Sequence, residues 1–195
     1  MRHRILVIGG TGFIGPHVVR KLSSMGHDVA VLHRGQHNND LPAEHIIGER
    51  RDLARLRPNA EVVIDLILSS GAQARETMET FRGAARRVVA ASSCDVYRAC
   101  GILHGLEEGP PEPVPLHEDS SLRTKLQTYP PEQIAAVRKF YPWVDDDYDK
   151  IPVEREVMAH AGLPGTILRL PMVYGPGDPV QRFFPWLRRM KDGRR

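Results

Sequence analysis

The chain alternates short β-branched apolar runs with longer stretches in which apolar residues recur at helical spacing. Ile5 to Ile8 reads as a buried strand, and from Phe13 to Met25 the residues Ile14, Val18, Val19 and Leu22 share one helix face. Gly26 then stops that helix as a left-handed cap. Val29 to Leu32 is a second strand, Ile46-Ile47 a short third and Val62 to Leu68 a strong fourth. A helix over Glu76 to Ala85 leads to a fifth strand, Arg87 to Ala91. Continuous apolar strands alternating with helices predict a parallel sheet covered on both faces, so the expected fold class is α/β, a doubly wound parallel sheet.

After Tyr97 the pattern changes. Residues 101–145 carry Pro110, Pro111, Pro113, Pro115, Pro130, Pro131 and Pro142 with acids between them, which predicts an irregular excursion holding one short helix near Glu132 to Phe140. A helix from about Asp147 to Ala161, a strand from Thr166 to Leu170 and a last helical stretch after Val180, amphipathic over Phe183 to Met190, complete the reading. No internal repeat or low-complexity tract interrupts it. The chain stops soon after this last helix, and the expectation is one domain over 1–195 cut short before a further substrate-binding region.

Composition narrows the class without naming a chemistry. At 195 residues with 41% hydrophobic and 26% charged residues, the chain is an ordinary soluble domain. The net charge of +3 comes from scattered pairs such as Arg50-Arg51, Arg86-Arg87, Arg188-Arg189 and Arg194-Arg195. That distribution makes nucleic acid an unlikely partner without excluding it. Two cysteines, Cys94 and Cys100, give no disulfide framework, and no Cys/His spacing matches a zinc site, so no metal is expected. The N-terminus has neither signal-peptide nor transit-peptide character, and no apolar run approaches a membrane span. A cytoplasmic location and a small-molecule partner follow, with a homodimer as an open expectation.

Gly9-Gly10-Thr11-Gly12-Phe13-Ile14-Gly15 directly follows the first strand and opens the first helix. Gly9 permits the tight turn, Gly12 lets backbone approach a pyrophosphate, and Gly15 allows helix to pack closely on strand. The helix N-terminus adds N–H groups and positive dipole for the phosphates. The strand before and the helix after this loop are the context that makes it a dinucleotide site, a Rossmann-type NAD(P)-binding fold. At the end of the second strand stands Leu32-His33-Arg34-Gly35, with no acid to bond a ribose 2′-hydroxyl. Arg34 therefore favours the 2′-phosphate of NADP, with NAD possible. Asp52 reads equally as an adenine contact or as a helix cap.

These residues resemble the NAD-dependent epimerase/dehydratase group of the extended and atypical short-chain dehydrogenase/reductase superfamily. The loop Gly9 to Gly15 is similar to that group's cofactor loop, Ala91-Ser92-Ser93-Cys94-Asp95-Val96-Tyr97 to its fifth-strand motif, and Leu168 to Gly177 to its sixth-strand motif beside the nicotinamide. The opening loop and His33-Arg34-Gly35 also resemble the branch containing chloroplast stem-loop RNA-binding proteins. The resemblance implies cofactor contacts from Leu66, Ile67 and Pro171, and catalytic roles for Ser93 and Tyr148, the serine being open to a plain capping role. Met172 falls where sugar-nucleotide epimerases often carry asparagine, which argues against a nucleotide-sugar substrate.

In that family a tyrosine exchanges the proton while hydride moves to or from nicotinamide, and a lysine four residues later lowers the phenol pKa from about 10. Here Gly101, Gln133, Asp145, Pro152 and Asp178 follow the five tyrosines at that spacing, and none is lysine. Lys150, two residues after Tyr148, is expected on a different side of a helix. Asp145-Asp146-Asp147 reads as a helix N-terminal charge cluster, and Cys94 as a small packed residue. Two functional readings stay open: an NAD(P)-dependent oxidoreductase of epimerase/dehydratase type, and a non-catalytic nucleotide-binding module such as a redox sensor or RNA-binding relative.

Overall fold

The computed structural model describes residues 1–36, 40–126 and 129–194. In chain order the elements are β1 (Arg4–Ile8), α1 (Gly15–Ser24), β2 (Asp28–His33), β3 (Glu44–Ile47), α2 (Leu53–Leu56), β4 (Val62–Asp65), α3 (Gly71–Phe81), β5 (Arg87–Ser93), α4 (Arg98–Leu103), α5 (Pro131–Arg138), α6 (Lys150–Ala159), β6 (Gly165–Leu170) and α7 (Phe184–Lys191). Single 3-10 turns precede α2 (Arg50–Asp52) and α4 (Cys94–Val96). The six strands form one sheet in the order β3-β2-β1-β4-β5-β6, and every pairing is parallel. This is the doubly wound α/β fold expected from the alternation.

Side chains of successive strand residues leave on opposite faces, and the two faces are covered by different helices. Ile5 and Val7 of β1 and Val29 and Val31 of β2 pack with Val19 of α1. Their neighbours Leu6, Ile8, Ala30 and Leu32 join Val63, Val88 and Ala90 under Met78 and Phe81 of α3 and Val153 and Val157 of α6. Because both faces are dry, the strands must be apolar throughout, which is why the sequence shows runs instead of alternation.

Several boundaries differ from the periodicity reading, each for a local reason. The fourth strand ends at Asp65 instead of continuing to Leu68. Asp65 is fully buried, pairs with Arg50 at 2.7 Å and accepts the Ile67 N–H at 3.1 Å, so the chain turns there. Arg50 is thus part of the interior, not of a solvated basic pair. The helix expected from Glu76 begins five residues earlier, where Ser70 caps it by accepting the Gln73 N–H. The excursion is more ordered than its proline content suggested. It holds α4 and α5, and Glu107, nearly buried, accepts hydrogen bonds from the Thr124 hydroxyl at 2.8 Å and the Lys125 N–H at 2.9 Å.

α6 starts at Lys150, not near Asp147, and its cap is Asp149, which accepts the Ile151 N–H at 2.8 Å. The acidic run before it therefore does not sit in a first helical turn. Asp145 bonds the Ser70 hydroxyl and Asp146 pairs with Arg138 at 2.9 Å. Among the described residues no helix is long and apolar enough to cross a membrane.

Candidate functional site

The glycine loop joins the C-terminal end of β1 to α1. Gly9 has φ +81°, and a Cβ there would also lie 2.5 Å from Ile67 Cγ2, so both conformation and space require glycine. A Cβ on Gly15 would overlap the backbone of Gly10, which shows how closely the start of α1 lies on the loop. Gly12 is exposed and its N–H donates to the Gly9 carbonyl at 3.2 Å, closing the turn. α1 has no side-chain cap, and Pro16 fits its first turn without losing a needed donor. Gly10, Thr11, Phe13 and Ile14 fill the remaining positions of the same turn. The arrangement leaves a helix N-terminus facing outward over a floor of glycine backbone.

The other residues that the sequence singled out for the cofactor lie as follows. Leu66 follows β4 with its N–H on the Ile8 carbonyl at 3.1 Å, and Ile67 lies against Gly9. Pro171 is exposed directly after β6, and Gly177 further along that segment comes near the Phe13 ring. Arg34 is exposed just beyond β2, in a turn where Gly35 N–H donates to His33 Nδ1 at 3.1 Å and His33 Nε2 meets His45 Nδ1 at 2.8 Å. Asp52 accepts the Glu49 N–H at 3.1 Å in a reciprocal capping box and pairs with Arg55 at 3.3 Å. Those backbone and arginine contacts hold its carboxyl below the usual range.

The second cluster lies at the C-terminal ends of β4 and β5. Ser93 ends β5, and its hydroxyl accepts the Asp95 N–H at 3.2 Å, capping the 3-10 turn that follows. Tyr148 precedes α6 instead of lying on it, which removes the helical geometry assumed for Tyr148 and Lys150. Lys150 Nζ is 5.9 Å from the Tyr148 ring centroid and 5.7 Å from that of Trp143. The ammonium donates to the Leu68 carbonyl and, at 3.3 Å, to the Ala91 carbonyl, so it ties the ends of β4 and β5 together beneath the tyrosine. Burial pushes its pKa down to about 8. Tyr148 is raised above its ordinary value, chiefly by burial and then by the Asp95 and Tyr129 neighbours.

Sequence reasoning missed the groups that fix this cluster. Arg123, 3% exposed, pairs with the helix-capping Asp149 at 3.1 Å and donates Nε to the Asp95 carbonyl at 2.6 Å. Glu154 accepts the Ser92 hydroxyl at 2.6 Å and pairs with Arg169 at 2.8 Å. Arg169 lies over the Tyr97 ring at 4.9 Å. Arg123 sits in the proline-rich excursion, where no periodic pattern marks it as buried. Glu154 is at the i+4 position from Lys150 on α6, a spacing that would have placed both on one helix face.

Residues 5–80 match the NAD dependent epimerase/dehydratase family. The match spans β1, the glycine loop and most of α3. No curated protein matches the chain as a sequence. Among solved structures it is similar to one described as MoeE5 in complex with UDP-glucose and NAD, at 25% identity and a TM-score of 0.62, covering 95% of this chain and 60% of that one. TunA, an NAD dependent NDP-hexosamine 5,6-dehydratase, shares 24% identity at a TM-score of 0.61, with the same coverages. WbmH of Bordetella bronchiseptica, in complex with NAD+, shares 14% identity at 0.63 and covers all of this chain and 64% of its own. The chain thus spans about 60% of the length of such neighbours.

Proposed function

We propose that this chain is the dinucleotide-binding part of an NAD(P)-dependent oxidoreductase of epimerase/dehydratase type, acting on a carbinol or carbonyl carbon of a small molecule. The observation that carries the reading is the glycine floor under the start of α1: Gly9 and Gly15 are both obligatory there, and the outcome is an uncapped helix N-terminus at a sheet edge. Gly9 to Gly15 take the pyrophosphate, with Leu66, Ile67 and Pro171 against the rest of the cofactor. The neighbours bound to NAD support a nicotinamide dinucleotide. Arg34, exposed beyond β2, supports NADP, with NAD as the alternative. Asp52 is assigned to the adenine end only through its position, since its carboxylate is already engaged as a cap.

A bound nicotinamide cofactor supplies the hydride. The chain's own residues supply the proton and its positioning. Tyr148 keeps its proton through burial and donates it to the substrate oxygen as negative charge builds there, with Ser93 as a second donor. Lys150, with Nζ 5.9 Å from the ring centroid, braces the Leu68 and Ala91 carbonyls beside the tyrosine and acts as a positioning residue. The neighbours described with UDP-glucose point to a sugar nucleotide, whereas Met172, exposed after β6, points to a different substrate, and the proposal stays with a small molecule. A cytoplasmic setting accompanies this reading.

Turnover by the protein that carries this chain is the test. Tyr148→Phe is expected to lower kcat by about 10²- to 10⁴-fold with KM little changed, and Ser93→Ala to lower it less. Unchanged kcat in Tyr148→Phe would remove the catalytic assignment. Cofactor binding without turnover across a carbonyl panel would favour the sensor reading, for which the absence of a lysine four residues after any tyrosine is the supporting observation.

A further inference from the structure

The chain has two cysteines, and the fold brings both to one place. Cys94 opens the 3-10 turn after β5, Asp95 is its neighbour, and Cys100 returns to them from α4. The reversal is built by hydrogen bonds from Tyr97 N–H to the Cys94 carbonyl at 3.1 Å and from Cys100 N–H to the Tyr97 carbonyl at 3.0 Å. The two sulfurs and one carboxylate oxygen of Asp95 all lie within 4.8 Å of one another, and all three residues are half-buried. We propose that Cys94, Asp95 and Cys100 bind one zinc-class divalent cation, with water completing the shell.

Three observations carry this. The first is spacing. A tetrahedral ion with Zn–S of about 2.3 Å and Zn–O of about 2.0 Å needs ligand atoms roughly 3.5–3.8 Å apart, which small side-chain rotations reach from the present positions. The second is support. Ser93 Oγ accepts the Asp95 N–H, Arg123 Nε donates to the Asp95 carbonyl, and Arg123 packs against Gly101, so the turn carrying all three ligands is held before any ion arrives. The third is chemistry. Among the described residues the Asp95 carboxylate makes no ion pair or hydrogen bond, although a guanidinium holds its own backbone, and beside two thiols it supplies the negative charge a cation needs. Two sulfurs and one oxygen suit zinc-class ions, and do not suit magnesium or calcium, which take oxygen shells. Binding forms two metal–sulfur bonds and one metal–oxygen bond, and the two thiol protons pass to solvent. The inference is independent of the dinucleotide reading.

The test uses the reduced chain, without oxygen, titrated with Co²⁺ as a coloured stand-in for Zn²⁺. A thiolate-to-cobalt charge-transfer band should rise, saturate at one ion per chain and be bleached by Zn²⁺. Such a band can arise only from Cys94 and Cys100, the only cysteines in the chain, so the parent protein alone is decisive. Cys94→Ala and Cys100→Ala should each lose the bis-thiolate intensity, with folding checked by circular dichroism, and Asp95→Asn should weaken binding while keeping the band. No band from folded, reduced protein overturns the proposal, as does saturation at half an ion per chain or a band of undiminished intensity in Cys100→Ala. An unchanged isotherm for Asp95→Asn overturns the three-ligand site.

Discussion

The glycine loop and the cluster around Tyr148 both lie at the C-terminal edge of one sheet, but they are held in opposite ways. The loop is shaped mainly by its own backbone: Gly9 turns left-handed, Gly12 closes on Gly9 and Gly15 lies against Gly10, while Ile67 and the Leu32 carbonyl add distant contacts at Gly9. The Tyr148 cluster is fixed by residues distant in sequence, with Lys150 reaching carbonyls of Leu68 and Ala91 and Arg123 reaching across to Asp95 and Asp149. A site made by local backbone geometry is robust to changes elsewhere. A site made by long-range polar contacts fails when any distant support is removed.

The sharpest way to break that comparison is Arg123→Ala. It removes the guanidinium from a buried ion pair with Asp149, and should cost about 3–5 kcal/mol of stability. Chemical denaturation would read the loss, and turnover should fall with it although, among the described residues, Arg123 makes no hydrogen bond or ion pair with Tyr148 or the loop. A change below about 1 kcal/mol would mean that the excursion does not support the cluster. Next comes Arg34→Ala, expected to weaken NADPH by about 1.5–3 kcal/mol while leaving NADH nearly unaffected, as read by fluorescence titration of both. Equal losses for the two cofactors would remove the 2′-phosphate role. Gly15→Ala should cost about 1–3 kcal/mol through overlap with Gly10 and displace the phosphate floor, so NADPH affinity falls while the Tyr148 cluster keeps its geometry.

The two regions differ just as much in how far the sequence reveals them. The strand–helix alternation and the glycine loop are legible because each is written in contiguous residues: an apolar run and a glycine spacing. The placement of Lys150 is not. Counting positions along an assumed helix put it away from Tyr148, but Asp149 is the cap, Tyr148 lies outside the helix, and the lysine folds back under the ring. The i+4 rule holds only once the helix start is known, and a cap supported by a buried arginine 26 residues away leaves no local signal. The same holds for Asp65 and Arg50, whose pairing ends β4 early, and for the approach of Cys100 to Cys94, which depends on the reversal through Tyr97.

The smallest effect concerns pH. Lys150 titrates near 8 in the folded chain, against an ordinary value of 10.5, so between those values the unfolded chain binds more protons. Stability contributed by this site therefore rises as pH increases from about 8 toward 10.5, and is flat below 8 where both states are charged. Tyr148, raised in the fold, acts in the opposite sense above its ordinary value near 10, so the comparison belongs between pH 8 and 10. Denaturation midpoints of the parent and Lys150→Met across that window should diverge with rising pH in favour of the parent. Parallel curves would show that the ammonium is not desolvated.

Titration of the folded chain with NADPH and NADH, followed by calorimetry, tests the central claim most directly. The glycine floor predicts saturable heat at one dinucleotide per chain, tighter for NADPH, and strongly reduced in Gly15→Ala. A folded chain that gives no heat with either dinucleotide at millimolar concentration would contradict it.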